Sequence, residues 1–388
     1  MKLLFCDNTI WGLCNFREPV FRHFHERGHD IVLVAPADEG SQMKAHVPAY
    51  ARHIPVHLAR TGRNPLSDIS YMRQLYSIYR RERPDYIFHY TIKPNIYGTL
   101  AARLCGIPST AMVAGLGYMF QKRSVTGRLA LGLYRFGLHY ARHVFVLNQG
   151  NRDTLLKHHI ASEDKLVLLK GGEGIDTSII KEGNTHRGDK TTFLMVARAL
   201  YDKGYAEFVE AARLLKAKRA EADFCLLGAI DEAYPNAVSK ETMEADVQSG
   251  CIKYLGFTDH PLEVMSRPGT VIVLPSYHEG LNRSLMEACA LGKPIITTDI
   301  PGCRETVEDG KNGYLVPVKD AQALAGAMTR YLSLDADAKA AMGHASRTMA
   351  VERFDISHVI AEYEKVVGQC MQKTIDTKSI GQKLKDIG

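Results

Sequence analysis

The 388-residue chain is 45% hydrophobic and 24% charged, the composition of a globular protein with room for two domains. No stretch of about 18 apolar residues occurs, so a spanning helix is not expected, and the opening Met1-Lys-Leu-Leu-Phe-Cys runs at once into Asp7 and Asn8, a first strand rather than a secretory leader. The formal charge of +6 is uneven: residues 1–180 hold 23 Lys+Arg against 14 Asp+Glu, so an anionic partner is expected on the first half, the plainer alternative being a solvated basic surface.

The eight cysteines are scattered without a C-x-x-C pair, several in apolar runs, which predicts buried thiols of a reducing cytosol rather than disulfides or a zinc site. Residues 2–6 read as a strand, 7–15 as a turn-rich loop holding the single tryptophan, Trp11, 16–26 as a helix ending at Gly28, and 30–35 as a second strand. That is doubly wound α/β grammar, without the G-x-G-x-x-G of a dinucleotide site. Strands follow at 53–57, 85–90 and 108–113, with helices at 67–83 and 97–105 and a loop at 91–95. Residues 121–143 combine Lys122, Arg123, Arg128, Arg135 and Arg142 with Leu129, Leu133, Tyr134, Phe136 and Tyr140. Such a segment lies against anionic headgroups, or is an amphipathic helix with a basic rim; the sequence leaves both open. Strands at 141–147 and 166–170 precede a polar linker, 177–191. The grammar then restarts, with strands at 192–197, 223–228, 252–255, 271–274, 295–298 and 313–316 and helices at 204–219, 284–291, 320–332 and 336–351. Two α/β domains are expected, 1–180 and 190–350, with a late helix of about 354–370 returning to the first and a loose tail at 371–388.

The chemistry concentrates in Glu279-Gly-Leu-Asn-Arg-Ser-Leu-Met-Glu287-Ala-Cys-Ala-Leu-Gly292-Lys-Pro294, which lies between two apolar runs. Leu285, Ala288 and Leu291 recur at helical spacing and Gly292 supplies a stop. Gly280, Leu281 and Asn282 therefore present backbone N–H groups at a helix N-terminus, a natural anion site. Glu279 beside an anion site is a conflict unless its carboxylate addresses another part of the same ligand, as it would with a phosphate ester bearing sugar hydroxyls. Glu287 has the neighbours of a buried face, where a free carboxylate is costly. Arg198 and Lys203 follow a strand end, where doubly wound sheets bind ligands, and offer a fork and a point charge to phosphate. Taken alone, they are equally compatible with surface charges in a loop.

In the context Pro275-Ser276-x-x-Glu279-Gly280-x7-Ala288-x3-Gly292-x-Pro294, the E-x7-E spacing resembles the nucleotide-sugar signature of retaining GT-B glycosyltransferases of family 4. Ala197-Arg198-Ala-Leu-Tyr-Asp-Lys203-Gly204 resembles the family's diphosphate motif, and Asp299-Ile-Pro-Gly302-Cys-Arg-Glu305 its closing segment. His89-Tyr-Thr-Ile-Lys93-Pro-Asn95 and Gly115-Leu-Gly117-Tyr118 resemble a branch that adds N-acetylhexosamines or related sugars to undecaprenyl-diphosphate-linked saccharides.

The resemblance implies two Rossmann-like doubly wound domains facing across a cleft, and a retaining, metal-independent transferase using a UDP-sugar. Arg198, Lys203 and the Gly280–Asn282 stretch would hold the diphosphate, Glu279 the sugar hydroxyls and Glu287 the ribose, with Glu279, Arg198 and Lys203 the catalytic set. Many relatives place a histidine near the reacting sugar where this chain has Gly115-Leu116-Gly117, so His89 is the substitute. Asn15, His89, Lys93 and Gly117 are the candidates for acceptor or sugar contact. No cofactor beyond the donor and no metal is implied; Asp335-Ala-Asp337 reads as a helix cap. The implied partners are the UDP-sugar, a lipid-linked saccharide and an anionic membrane surface met by the basic first domain, at the cytoplasmic inner face of the cell membrane. The alternative is a GT-B sugar-nucleotide epimerase or hydrolase, such as a UDP-N-acetylglucosamine 2-epimerase. A nucleic-acid protein is not supported: no such motif is present, and Glu279 and Glu287 would go unexplained.

Overall fold

Apolar runs such as Leu3-Leu4-Phe5-Cys6, Ile31-Val-Leu-Val-Ala35 and Val271-Ile-Val-Leu274 have no polar alternation, which suits strands covered on both faces, and each is flanked by a parallel strand on either side. The computed structural model describes residues 1–37, 45–58, 65–115, 125–182, 190–232, 234 and 236–385, with backbone alone for 125–130 and 371–385. The chain divides into two units, Met1–Glu173 with Ser357–Gly388, and Gly174–Ile356.

The first unit contains β1 (Lys2–Cys6), α1 (Ile10–Glu26), β2 (Asp30–Ala35), β3 (Ala51–Pro55), α2 (Pro65–Glu82), β4 (Tyr86–Tyr90), a π-helical turn (Pro94–Gly98), α3 (Thr99–Leu104), β5 (Ser109–Val113), α4 (Val125–His139), β6 (His143–Val146), α5 (Gln149–Lys157) and β7 (Leu166–Leu168). Among the described residues its seven strands are ordered β3-β2-β1-β4-β5-β6-β7, all parallel. The strand order reverses between β1 and β4, so the crevice beyond their carboxyl ends is the natural ligand position.

The second unit contains β8 (Thr191–Val196), α6 (Tyr205–Ala217), β9 (Ala222–Leu227), α7 (Lys240–Gln248), β10 (Lys253–Tyr254), α8 (Pro261–Met265), β11 (Thr270–Leu274), α9 (Arg283–Ala290), β12 (Ile295–Thr298), β13 (Gly313–Val316), α10 (Ala321–Leu332) and α11 (Ala336–Met349). The order β10-β9-β8-β11-β12-β13 reverses between β8 and β11. Both units are therefore doubly wound α/β domains of the Rossmann type. The final helix α12 (Ile356–Lys385) carries the chain back to the first sheet. There Tyr363 packs its ring 4.8 Å from that of Phe88 and 4.9 Å from that of Phe145, and its hydroxyl meets that of Tyr90 at 2.9 Å.

Two expectations need correction. The loop expected at 7–15 is mostly helix, because Thr9 accepts from the Gly12 N–H at 2.9 Å and starts α1 at Ile10; Trp11 and Asn15 thus sit on a helix. The segment 174–182, expected in part as linker, belongs to the second unit: Ile175 bridges Asp355, and Arg347 donates to the carbonyls of Thr177 and Ile180. From 371 the backbone continues α12 as helix to Lys385. Gly117, Lys122 and Arg123 lie outside the described residues.

Candidate functional site

In the second unit, the loops leaving β8 and β11 meet at the reversal of strand order. The loop after β8 carries Arg198 and then a 310 turn, Tyr201–Lys203, closed by Gly204 at φ +80°. A Cβ on Gly204 would overlap the Pro275 carbonyl, so only glycine lets this loop rest on the loop after β11. The Asp202 carbonyl ties the two loops by accepting from the Tyr277 N–H at 2.9 Å and the Ser276 hydroxyl at 3.2 Å. Lys203 thereby reaches across, donating from Nζ to Glu279 Oε1 at 2.6 Å, with the Glu279 side chain only 9% exposed. Arg198 is exposed, and its guanidinium lies 4.1 Å from the centre of the Tyr234 ring.

Asn282 is the N-cap of α9, its side chain accepting from the Leu285 N–H at 3.1 Å. Leu281 is buried and joins the apolar core with Leu285 and Met286, so its contribution to a ligand is confined to its backbone. One turn along, Glu287 is buried to 9% exposure and accepts from Arg283 Nε at 2.7 Å. The loop after β12 braces the Glu279–Gly280 peptide. Gly302, at φ +86°, lies so close that a Cβ would overlap the Gly280 carbonyl oxygen. The Thr298 hydroxyl donates to the Ser276 carbonyl from the same side. Cys303 lies in this brace, its thiol pushed up to about 12 by burial, with the charge of Glu279 adding to the effect.

The arrangement gathers Lys203, Glu279, Gly280, Asn282 and Glu287 around one helix terminus, with Arg198 on the neighbouring strand end. Two buried carboxylates paired with cations are a weak stability device, since desolvation offsets most of the attraction. They are well suited to a ligand that is anionic at one end and hydroxylated at the other. Tyr234, Arg283 and the bracing role of Gly302 escaped the sequence reading; Arg283 alone had a local signal, its four-residue spacing from Glu287.

The first-unit candidates fare differently. His89 is fully buried, its Nε2 3.0 Å from the Tyr79 hydroxyl and its Nδ1 3.3 Å from the Thr99 hydroxyl. Burial pushes its pKa down to about 3, so the expected contact with acceptor or sugar is corrected to a neutral core role. Asn15 is exposed on α1. Lys93 donates to Asp68 Oδ1 at 2.7 Å, and Asp68 Oδ2 accepts from Tyr97 at 2.8 Å. With Asn8, Thr91 and Gly115, Lys93 lines a cavity of about 290 Å³ beyond the ends of β1, β4 and β5, at that sheet's own reversal of order. Thr91 has φ +66° there, strained for a β-branched residue. On α4, Phe136 and Leu133 are exposed, while Arg135 donates to the His158 carbonyl. Asp335 caps α11, accepting from the Ala338 N–H at 2.8 Å. Among the described residues, no group of three or more His, Cys, Asp or Glu side chains is arranged to hold a metal ion, and no helix is long and apolar enough to cross a membrane.

Residues 20–177 match the family model Glycosyltransferase Family 4, and residues 176–349 match Glycosyl transferases group 1. The N,N'-diacetylbacillosaminyl-diphospho-undecaprenol alpha-1,3-N-acetylgalactosaminyltransferase of Campylobacter jejuni is 28% identical over 341 residues, covering 84% of this chain and 87% of the relative. The UDP-Gal:alpha-D-GlcNAc-diphosphoundecaprenol alpha-1,3-galactosyltransferase of Escherichia coli is 22% identical over 275 residues, 68% of this chain and 70% of the relative. Among solved structures, sucrose-phosphate synthase from Thermosynechococcus elongatus aligns with a TM-score of 0.79 at 17% identity, over 96% of this chain and all of that one. Anabaena HepE in complex with UDP and glucose aligns with a TM-score of 0.72 at 16% identity, over 95% of this chain and 100% of that one. Two domain matches in succession and two doubly wound sheets lead to one assignment: the chain pairs a Glycosyltransferase Family 4 domain with a Glycosyl transferases group 1 domain and has the GT-B fold.

Proposed function

We propose that this glycosyltransferase moves a sugar, an N-acetylhexosamine or a related one, from a UDP-sugar to a lipid-diphosphate-linked saccharide in polysaccharide assembly, with retention of anomeric configuration and without a metal ion. The observation that carries the donor half is the Lys203–Glu279 pair at 2.6 Å beside the N-terminus of α9. A cation, a helix terminus and a buried acid within one loop cluster match a diphosphate joined to a sugar. The acceptor half is supported by the names of the two bacterial relatives, both transferases to undecaprenyl-diphosphate-linked sugars. The basic first half, with Leu133 and Phe136 exposed on α4, supports a peripheral position on an anionic inner membrane face.

In this reading Arg198, Lys203 and the α9 terminus hold the diphosphate, where negative charge grows as the glycosidic C–O bond to phosphate breaks. The acceptor hydroxyl oxygen forms the new bond to the anomeric carbon on the same face. Its proton passes to the departing β-phosphate oxygen, so UDP leaves protonated and no side-chain base is required. Glu279 fixes the sugar hydroxyls and Glu287 the ribose. Lys93, at the first-unit cavity, is the cation for the acceptor's diphosphate.

UDP at millimolar concentration should raise the melting temperature of the wild-type chain; no shift would remove the donor-site reading. Glu279→Ala should lower transfer by about 10²-fold or more while UDP still raises the melting temperature. Wild-type turnover by that variant would refute the role of Glu279. Products from a panel of UDP-sugars, read by mass spectrometry and by NMR of the new anomeric centre, test the sugar and the stereochemistry.

A further inference from the structure

Arg283 occupies the first position of α9, the end of a helix whose partial charge is positive. A cation there is on the unfavourable side of the dipole. Its partner Glu287 stands four residues later, and a basic residue N-terminal to an acid is the weaker orientation of an i,i+4 pair. A pair built for helix stability would be written the other way round. Glu287 is also set among Met286, Ala288 and Cys289, all fully buried, so its carboxylate is costly unless it is kept paired. A cation at a helix N-terminus tied to a buried acid is a local conflict of the kind that functional sites carry.

We propose that Arg283 is a positioning residue for the nucleotide. It holds the Glu287 carboxylate in one rotamer, through the 2.7 Å bond from Nε to Oε1, so that the carboxylate meets the ribose hydroxyls without an ordering step. The proposal rests on the donor-site reading and assigns a residue outside its E-x7-E pair.

Calorimetric titration with UDP tests it, because UDP carries both ribose and diphosphate and needs no knowledge of the sugar or acceptor. Arg283→Met should weaken UDP binding about tenfold, or about 1.4 kcal/mol. Arg283→Lys, which keeps a charge able to reach Glu287, should return to within about threefold of the wild type. In a Glu287→Gln background the Arg283→Met change should cost less than about twofold, since the group it positions is gone. The melting temperature without UDP separates loss of binding from loss of fold, and Arg283→Gln serves if the methionine variant fails to fold. Unchanged affinity in Arg283→Met would overturn the proposal. So would a full tenfold loss in the Glu287→Gln background, which would mean that Arg283 meets the nucleotide independently. Absence of UDP binding by the wild-type chain would instead overturn the donor site itself.

Discussion

Two buried residues of the first unit titrate in opposite senses. His89, enclosed by Tyr79, Thr99 and Gly98, is pushed down to about 3 by burial, whereas Asp7 is raised to about 6 by burial, with Arg17 partly opposing the rise. Below pH 6.5 the unfolded chain protonates His89 and the folded chain does not, so this residue makes stability fall as pH falls toward 3. Asp7 binds its proton more tightly when folded, so it makes stability rise as pH falls from about 6 toward 3.8. Between about pH 6 and 4.5 the two contributions offset one another, each with a slope of about 1.4 kcal/mol per pH unit. Urea unfolding across that window should therefore show opposite deviations from the wild type. Asp7→Asn should lose stability on acidification, and His89→Gln should gain it. Parallel profiles would show that neither group is held as the geometry implies. The sequence placed His89 at a strand end, and β4 does end beside it; that α2 and α3 close over the ring depends on Tyr79 and Thr99, which no local pattern links to it.

At the scale of elements, the candidate site depends on glycines that let loops touch. Gly302 bears on the Glu279–Gly280 peptide and Gly204 on Pro275. Gly302→Ala would both strain the backbone at φ +86° and drive a methyl group into the Gly280 carbonyl, displacing the loop that carries Glu279. A shift of about 1 Å in a reacting group costs on the order of 10² in rate, so kcat/KM should fall by that much while UDP still binds. An unchanged kcat/KM would show that the brace is dispensable. The E-x7-E spacing and the strand runs were legible because they are local. The Lys203–Glu279 pair joins positions 76 apart, and the Gly302 contact joins two loops; only the strand order β8-β11-β12 brings these together. The early start of α1 was hidden for a different reason, since Thr9 caps it within a run that also carries turn residues.

For the whole molecule, the first sheet is completed by residues from the far end of the sequence. Tyr363 on α12 is 1% exposed, with rings of Phe88 and Phe145 against it and Arg17 and Tyr90 close by. Tyr363→Ala should cost about 3–5 kcal/mol. The loss should fall on the first unit alone, so urea unfolding should separate into two transitions of which only the later responds to UDP. A single shifted transition would mean that the units unfold as one. The second unit has a different property. Residues 174–356 interrupt the first unit in sequence, yet their two ends are stitched together: Ile175 donates to the Phe354 carbonyl at 2.8 Å and accepts from Ile356 at 2.9 Å. A segment that leaves and re-enters through one doorway is topologically a cassette. A nick at one crossing would leave it tied in at the other.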